Sequence, residues 1–259
     1  VLSFAIGGAF AALVAAAALR VRALSRDGAL AALVVGTLTF GIGGLQAAAI
    51  LLGFFLTSVA LTRAGRAKKR MLADIAKGGP RDAVQVLANG GIATACLVIA
   101  LRDSHPWSVA FAGAYAAATA DTWGTEIGTL VSTPPRSLLG GRAIAAGLSG
   151  GVTPAGTAAE IAGAFCIAIV AAVVGLAMDL RSFVGIALGG IVGAFADSLL
   201  GATVQSRRWC PACQRPCEND PHTCGAATEQ RGGIAWLSND LVNLAATLTG
   251  AAVARAFAG

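Results

Sequence analysis

The chain has 259 residues, 56% of them hydrophobic and only 12% charged, with a mean hydropathy of +0.73. Soluble domains carry about a quarter charged residues, so the composition excludes an ordinary soluble protein and points to one multi-pass membrane domain over 1–259. The net charge of +6 is read as membrane topology and headgroup contact, and it calls for no nucleic acid.

In chain order, apolar runs of about 20 residues, enough to fill a bilayer, fall at 2–19, 28–44, 46–62, 83–101, 108–131, 156–178, 183–204 and 234–254. They predict an all-α polytopic transmembrane helical bundle of seven or eight spans. The 34 glycines fit such a bundle, because small residues let membrane helices approach closely. The first run is already span-like, so a separate signal peptide is not expected. Gly41-Ile42-Gly43-Gly44 leaves little room for a turn between the second and third runs, which predicts a tilted hairpin or a re-entrant pair. Residues 66–77 are basic with Met71, Leu72 and Ile75 interleaved. They predict an amphipathic helix on anionic lipid, with substrate phosphate binding as the competing role.

Basic residues set the orientation. With the N-terminus outside, the cytoplasmic face holds Arg20, Arg22, Arg26, the Arg63–Arg81 cluster, Arg136, Arg142, Arg207, Arg208, Arg215 and Arg231, which is 16 of the 19 basic residues. Only Arg102, Arg181 and Arg255 fall outside. Eight spans with both ends outside follow from that split, and the expected location is a cell (inner) membrane with the active site facing the cytoplasm.

The same topology gathers the intramembrane polar residues toward the cytosol. Gln85 and Asn89 share a helix face just inside their span. Asp121 (in Ala120-Asp121-Thr122), Glu126 and Asp197 (in Ala196-Asp197-Ser198) lie in the cytoplasmic halves of theirs, and Asp240 enters from the same side with Asn243. Glu160 sits a turn or so inside its own span, as loop cap or catalytic group. Asp121 and Glu126 are about 140° apart on an ideal helix, so either they bracket a ligand or the helix opens near Gly124. Charge in a membrane is costly, so several carboxylates at one depth imply one shared site.

Carboxylates with Asn, Thr and Ser nearby form a hard-oxygen site suited to Mg²⁺, which favours carboxylates, phosphates and retained water. Arg136 and Arg142 are placed to meet an anionic substrate. In the glycine-rich stretch that follows, Gly150 and Gly151 let backbone N–H groups approach phosphate oxygens, and the helix starting near Pro154 offers its positive end. Trp123 and Trp236 are read as packing or interfacial residues.

Four ordered segments resemble the signature of an integral membrane family. They are Ala120-Asp121-Thr122-Trp123-Gly124-Thr125-Glu126-Ile127-Gly128, Gly150-Gly151-Val152-Thr153-Pro154-Ala155-Gly156-Thr157, Ala196-Asp197-Ser198-Leu199-Leu200-Gly201-Ala202 and Trp236-Leu237-Ser238-Asn239-Asp240-Leu241-Val242-Asn243. The family includes the phytyl-phosphate kinases of tocopherol biosynthesis, and the resemblance covers nearly the whole chain. It implies a Mg²⁺-dependent lipid-phosphate kinase that moves a phosphoryl group from a nucleoside triphosphate, with CTP as donor, to an isoprenyl monophosphate. Under that resemblance Asp121, Asp197 and Asp240 hold Mg²⁺, with Glu126 as a further ligand or water-holder. Asn89, Asn239 and Asn243 serve the phosphate or the metal's water. Arg136 and Arg142 neutralise the triphosphate, and Gly150, Gly151 and Thr153 cradle it.

Four of the six cysteines crowd residues 206–232, a cytoplasmic loop between the last two spans. Cys210-x-x-Cys213, then Cys217 and His222-x-Cys224, is zinc-knuckle spacing. Cys210, Cys213, Cys217 and Cys224 are taken as the structural zinc ligands, with His222 as the alternative fourth. Cys96 and Cys166, inside apolar spans, are packing residues. Two other functions stay open: a CTP-dependent cytidylyltransferase on a lipid phosphate, and a transporter with a midplane acidic site. A homo-oligomer is compatible with all three.

Overall fold

A computed structural model of the protein describes residues 2–64 and 79–258. The amphipathic helix expected over 66–77 lies outside them. Seven helices are described: α1 (Leu2–Arg20), α2 (Arg26–Ala64), α3 (Ala83–Ala100), α4 (Ser104–Gly128), α5 (Pro154–Val173), α6 (Leu180–Thr203) and α7 (Asn239–Ala256). Five of them, α1, α2, α3, α5 and α6, are long and apolar enough to cross a membrane. Two small antiparallel sheets stand at one end of the bundle, here termed the loop end. One pairs β1 (Arg136–Ser137) with β2 (Gly151–Val152). The other orders β4 (Arg215–Cys217), β3 (Arg207–Cys210) and β5 (Glu229–Gly232), with β3 central.

The 39 residues of α2 are a helical hairpin. Gly44 takes φ 61° and ψ −152°, a backbone state open to glycine at no steric cost, and the chain doubles back there. Gly28 on the first arm packs on the Arg81 carbonyl, and Arg63 at the end of the second donates to the Val21 carbonyl at 3.1 Å. Both arms therefore end at the loop end, and Gly44 marks the opposite end. Where the residue pattern left hairpin and re-entrant pair open, the geometry is a hairpin.

The centre of the bundle is α4. Every residue from Val109 to Ala120 is buried, enclosed by α2, α3, α5, α6 and α7. Apart from Val109, Phe111 and Tyr115, that stretch is alanine, glycine and threonine, which suits a helix that touches protein on every side. Thr119 and Thr122 donate to carbonyls of their own helix, Tyr115 and Ala118, both at 2.7 Å, so their hydroxyls carry no unmet demand.

Local signals fix the helix starts. Asp82 caps α3 in a reciprocal pair with Gln85, so Gln85, read from sequence as a site-facing polar group, spends its carbonyl on a cap. Thr153 accepts from the Gly156 N–H at 3.0 Å and, with Pro154, starts α5.

Helix packing depends on small residues. A Cβ on Gly193 would lie 2.5 Å from the Ala117 Cβ and 2.8 Å from the Ala246 carbonyl. Gly193→Val is therefore expected to cost about 1–3 kcal/mol through overpacking. A thermal melt in detergent would show the loss, and an unchanged midpoint would refute the close contact.

Candidate active site

Three carboxylates converge because three helices share one contact. At Gly190, Ala116 and Ala164 the helices α6, α4 and α5 touch, and Gly193 meets Ala117 a turn nearer the loop end. Asp121, Asp197 and Glu160 each lie four residues beyond Ala117, Gly193 and Ala164 respectively, on the same helix faces. The next turn of α4 stays close to α5: a Cβ on Gly124 would lie 2.5 Å from the Glu160 Cγ. The charges of Asp121, Glu160 and Asp197 act on one another, and Glu218, from the cysteine-rich loop, acts on Asp197 as well. None of these four carboxylates is ion-paired among the described residues. Asp197 is buried and its Oδ2 has no hydrogen-bond partner there. Like charges in an apolar bundle are costly unless a proton, a hydrogen-bond donor or a cation compensates them.

A polar network supports the cluster at the loop end. The Ser149 N–H donates to Glu218 at 2.8 Å, Gln205 donates to Ser149 Oγ at 2.8 Å and to Glu218 at 3.3 Å, and Ser149 Oγ donates to Asn239 at 3.4 Å. Burial pushes the Glu218 carboxyl above its usual range, against the pull of the Ser149 N–H. Glu218, Ser149 and Gln205 were absent from the sequence-based site. Only folding brings the loop after α6 back over the cluster, and no local motif marks them.

Other expected site residues are placed differently. Asp240 lies on the face of α7 that carries Thr247, whose hydroxyl donates to the Ala88 carbonyl of α3 at 3.1 Å. Seven residues are nearly two full turns, so Asp240 turns toward α3. Asn243 lies two turns from Gly250, which packs against Ala117 and the Gly189 carbonyl, so Asn243 faces the Asp121–Asp197 side. Helix α4 runs unbroken through Gly124, and Glu126 consequently points elsewhere, accepting from Thr62 of α2 at 2.8 Å. Trp123 shares that face, donating to Thr57 at 3.2 Å.

The glycine-rich stretch has structural duties. Gly150, at φ 76°, packs against the Ala202 backbone, and the Thr153 hydroxyl is the α5 cap. Gly151 pairs with Ser137 across β1–β2. Arg136 donates to the Gly141 carbonyl at 2.8 Å, while Arg142 is exposed. Asn89 donates to its own helix at Gln85 and lines a cavity with Gly90 and Tyr115.

In the cysteine-rich loop, the ligand atoms of Cys210, Cys213, His222 and Cys224 all lie within 4.8 Å of one another and could hold a metal ion. Cys213 Sγ and Cys224 Sγ lie 3.6 and 3.1 Å from His222 Nδ1, and Cys210 Sγ lies 3.6 Å from Cys224 Sγ. The His222 hydrogen bond holds the Cys224 thiol down to about 6, while hydrogen bonding to Cys224 pushes Cys213 up to about 11. Cys217, expected as the fourth ligand, is outside this group. The β3–β4 ladder pairs Cys210 with Arg215, leaving Cys217 about 7 Å further along the strand, and His222 takes the fourth place.

A bundle with several apolar helices long enough to cross a bilayer, and a carboxylate cluster at one end, is a multi-pass helical membrane protein. The chain belongs to the family described as "Integral membrane protein DUF92", which matches residues 9–251. It is 33% identical over 253 residues to Protein PGR of Arabidopsis thaliana, covering 88% of this chain and 86% of that protein. It is 29% identical over 229 residues to Uncharacterized membrane protein MJ0933 of Methanocaldococcus jannaschii, covering 88% and 83%. To Uncharacterized membrane protein sll0875 of Synechocystis it is 26% identical over 230 residues, covering 85% and 77%. No solved structure matches.

Proposed function

We propose that the carboxylate cluster is the active site of a membrane isoprenyl-phosphate kinase using a nucleoside triphosphate, with CTP as donor. The observation that carries this reading is the convergence of Asp121, Glu160 and Asp197 from three helices, joined by Glu218, without a basic partner among the described residues. The donor set fits Mg²⁺: it is all hard oxygen, and Asp197 Oδ2 is buried with no partner there. Asp121 and Asp197, with Glu160, would hold the ion, which supplies charge neutralisation for the triphosphate.

An isoprenyl monophosphate is anionic near neutral pH, so positioning and charge neutralisation dominate and no strong base is required. An oxygen of the acceptor phosphate bonds to the γ-phosphorus as the bond from that phosphorus to its bridging oxygen breaks, and CDP leaves. Asn243 would orient the transferring group, and Arg142, which is exposed, would meet the triphosphate. Three thiols and one imidazole suit zinc, whose bonds of about 2.0–2.3 Å set tetrahedral edges of roughly 3.4–3.8 Å. We read α4 and α7 as further spans and α2 as two, giving eight. The basic residues that the described loop end carries, among them Arg20, Arg63, Arg81, Arg136, Arg142 and Arg207, would then mark the cytoplasmic side.

Purified protein with Mg²⁺ and CTP is expected to convert phytyl or geranylgeranyl monophosphate to the diphosphate with release of CDP. Pyrophosphate release and a CDP-linked lipid would identify a cytidylyltransferase instead. No turnover across several lipid phosphates and nucleotides would reject both.

A further inference from the structure

Helix α1 and the first arm of α2 are clamped together on one side. A Cβ on Gly7 would lie 2.9 Å from the Phe40 Cβ, and one on Gly36 would lie 2.9 Å from the Ala11 Cβ. Beside that contact, toward the loop end, the two helices leave a groove of about 340 Å³. Methyl side chains hollow it out: Ala12, Ala15 and Ala16 from α1 and Ala29 from α2, with Leu19 and Leu30 on its walls. Ala12, Ala16, Leu19 and Leu30 are exposed, so the groove opens outward from two helices apolar enough to cross a membrane. From Ala12 to Leu19 it runs about 10 Å along α1, a third of the ~30 Å hydrocarbon core. It does not close by helix approach, because the glycine contacts already hold the two backbones at their limit.

Charge gathers at the loop end of this groove. Arg26 lines it, Arg20 ends α1, and Arg22 stands in the turn between the helices. The Arg22 and Ala23 N–H groups donate to the Leu19 and Ala18 carbonyls at 3.1 and 2.9 Å, which winds the turn tightly and keeps the three arginines together. Arg63 joins them from the second arm through its bond to the Val21 carbonyl. All four are exposed, and none is ion-paired among the described residues. Asp27, the one carboxylate in residues 20–30, is engaged by the Ser25 hydroxyl at 2.5 Å and the Ala83 N–H at 3.0 Å.

We propose that this groove seats an anionic diacyl phospholipid, with one acyl chain between α1 and α2 and the phosphate held by Arg20, Arg22 and Arg26. Guanidinium groups recognise phosphate oxygens through paired N–H donors. An apolar slot between membrane helices with a basic rim complements both parts of such a lipid. A second copy of the chain is a poorer occupant, since a two-fold contact through this face would bring the same guanidiniums together. Helix α1 is outside the ring that encloses α4, so binding here is independent of the kinase reading.

The test is native mass spectrometry of the delipidated full chain in uncharged detergent, titrated with phosphatidylglycerol, phosphatidylcholine or inorganic phosphate. The first phosphatidylglycerol should bind about 10–100-fold more tightly than phosphatidylcholine, because each arginine at the surface adds roughly fivefold. Inorganic phosphate at equal concentration should not displace it. Replacing Arg20, Arg22 and Arg26 together by Gln should bring phosphatidylglycerol down to the level of phosphatidylcholine. Ala16→Phe fills the groove at an exposed position and leaves every charge in place. It should lose the tight lipid as well, which separates a seat from general attraction to a basic surface, and it carries the test if the arginine variant does not fold. Equal affinity for the two lipids, displacement by phosphate, wild-type binding by a folded Ala16→Phe, or a lipid-free dimer that Ala16→Phe disrupts would each overturn the proposal.

Discussion

Asp197→Asn is expected to lower turnover of a prenyl monophosphate by about 10²–10³-fold or more, the cost of removing one preorganised electrostatic group, while leaving the fold intact. The two halves of that result come from the same geometry. Asp197 Oδ2 accepts no hydrogen bond among the described residues, so an isosteric amide there breaks little that holds the helices together. It also removes one of the mutually repelling charges around Asp121, Glu160 and Glu218, so the melting temperature should hold or rise. A structural carboxylate would behave in the opposite way, with stability falling alongside any activity. Asp240→Asn is the matched control, because Asp240 turns toward α3 and should cost less than tenfold in turnover. Steady-state rates and thermal melts of both variants decide it. Full activity in Asp197→Asn would remove Asp197 from the site.

That contrast between Asp240 and Asn243 shows where sequence reasoning reaches its limit. The apolar runs locate the described helices to within about five residues, because length and hydropathy are what a bilayer selects. The break at Gly44 was also legible, since a glycine cluster leaves the chain free to reverse. The gathering of Asp121, Glu160 and Asp197 at one end followed from helix direction alone. The finer choice, which of Asp240, Asn243 and Glu126 face that gathering, depends on helix phase against particular neighbours such as Gly250 and Thr62, and neighbours are not written in a single chain. Glu218 lies inside the cysteine motif and Gln205 just before it, and neither is marked by that motif as facing the carboxylates. Thr153-Pro154 and Asp82-x-x-Gln85 are cap signatures that local capping energetics explain. Thr153 and Gln85, expected at the site, are held by those caps instead. The enclosure of α4 was hidden by composition: an alanine-rich helix reads as weakly apolar, yet that lack of bulk lets five helices close around it.

The cysteine loop gives the second large effect. Protein purified under reducing conditions is expected to carry about one zinc per chain. Cys213→Ser or Cys224→Ser should abolish it, and Cys217→Ser should retain it. Zinc binding in such sites is worth about 10–16 kcal/mol of apparent free energy, more than a three-stranded sheet with strands of four, three and four residues can supply by itself. Stripping the metal should therefore unfold the loop as a unit. The consequence reaches the carboxylates, because Glu218 follows Cys217 directly and is tied to Ser149 and Gln205. Ile234 donates to the Val204 carbonyl and Ser206 to the Leu237 carbonyl, clamping the base of the loop onto the end of α6 and the approach to α7. Chelation should then lower the melting temperature and the activity together, with recovery on adding zinc. Glu218→Gln should leave the zinc content unchanged, which separates the loop's structural duty from its contribution to the site. Zinc-free protein with a folded loop, or Cys217→Ser losing the metal as fully as Cys213→Ser, would refute the ligand set.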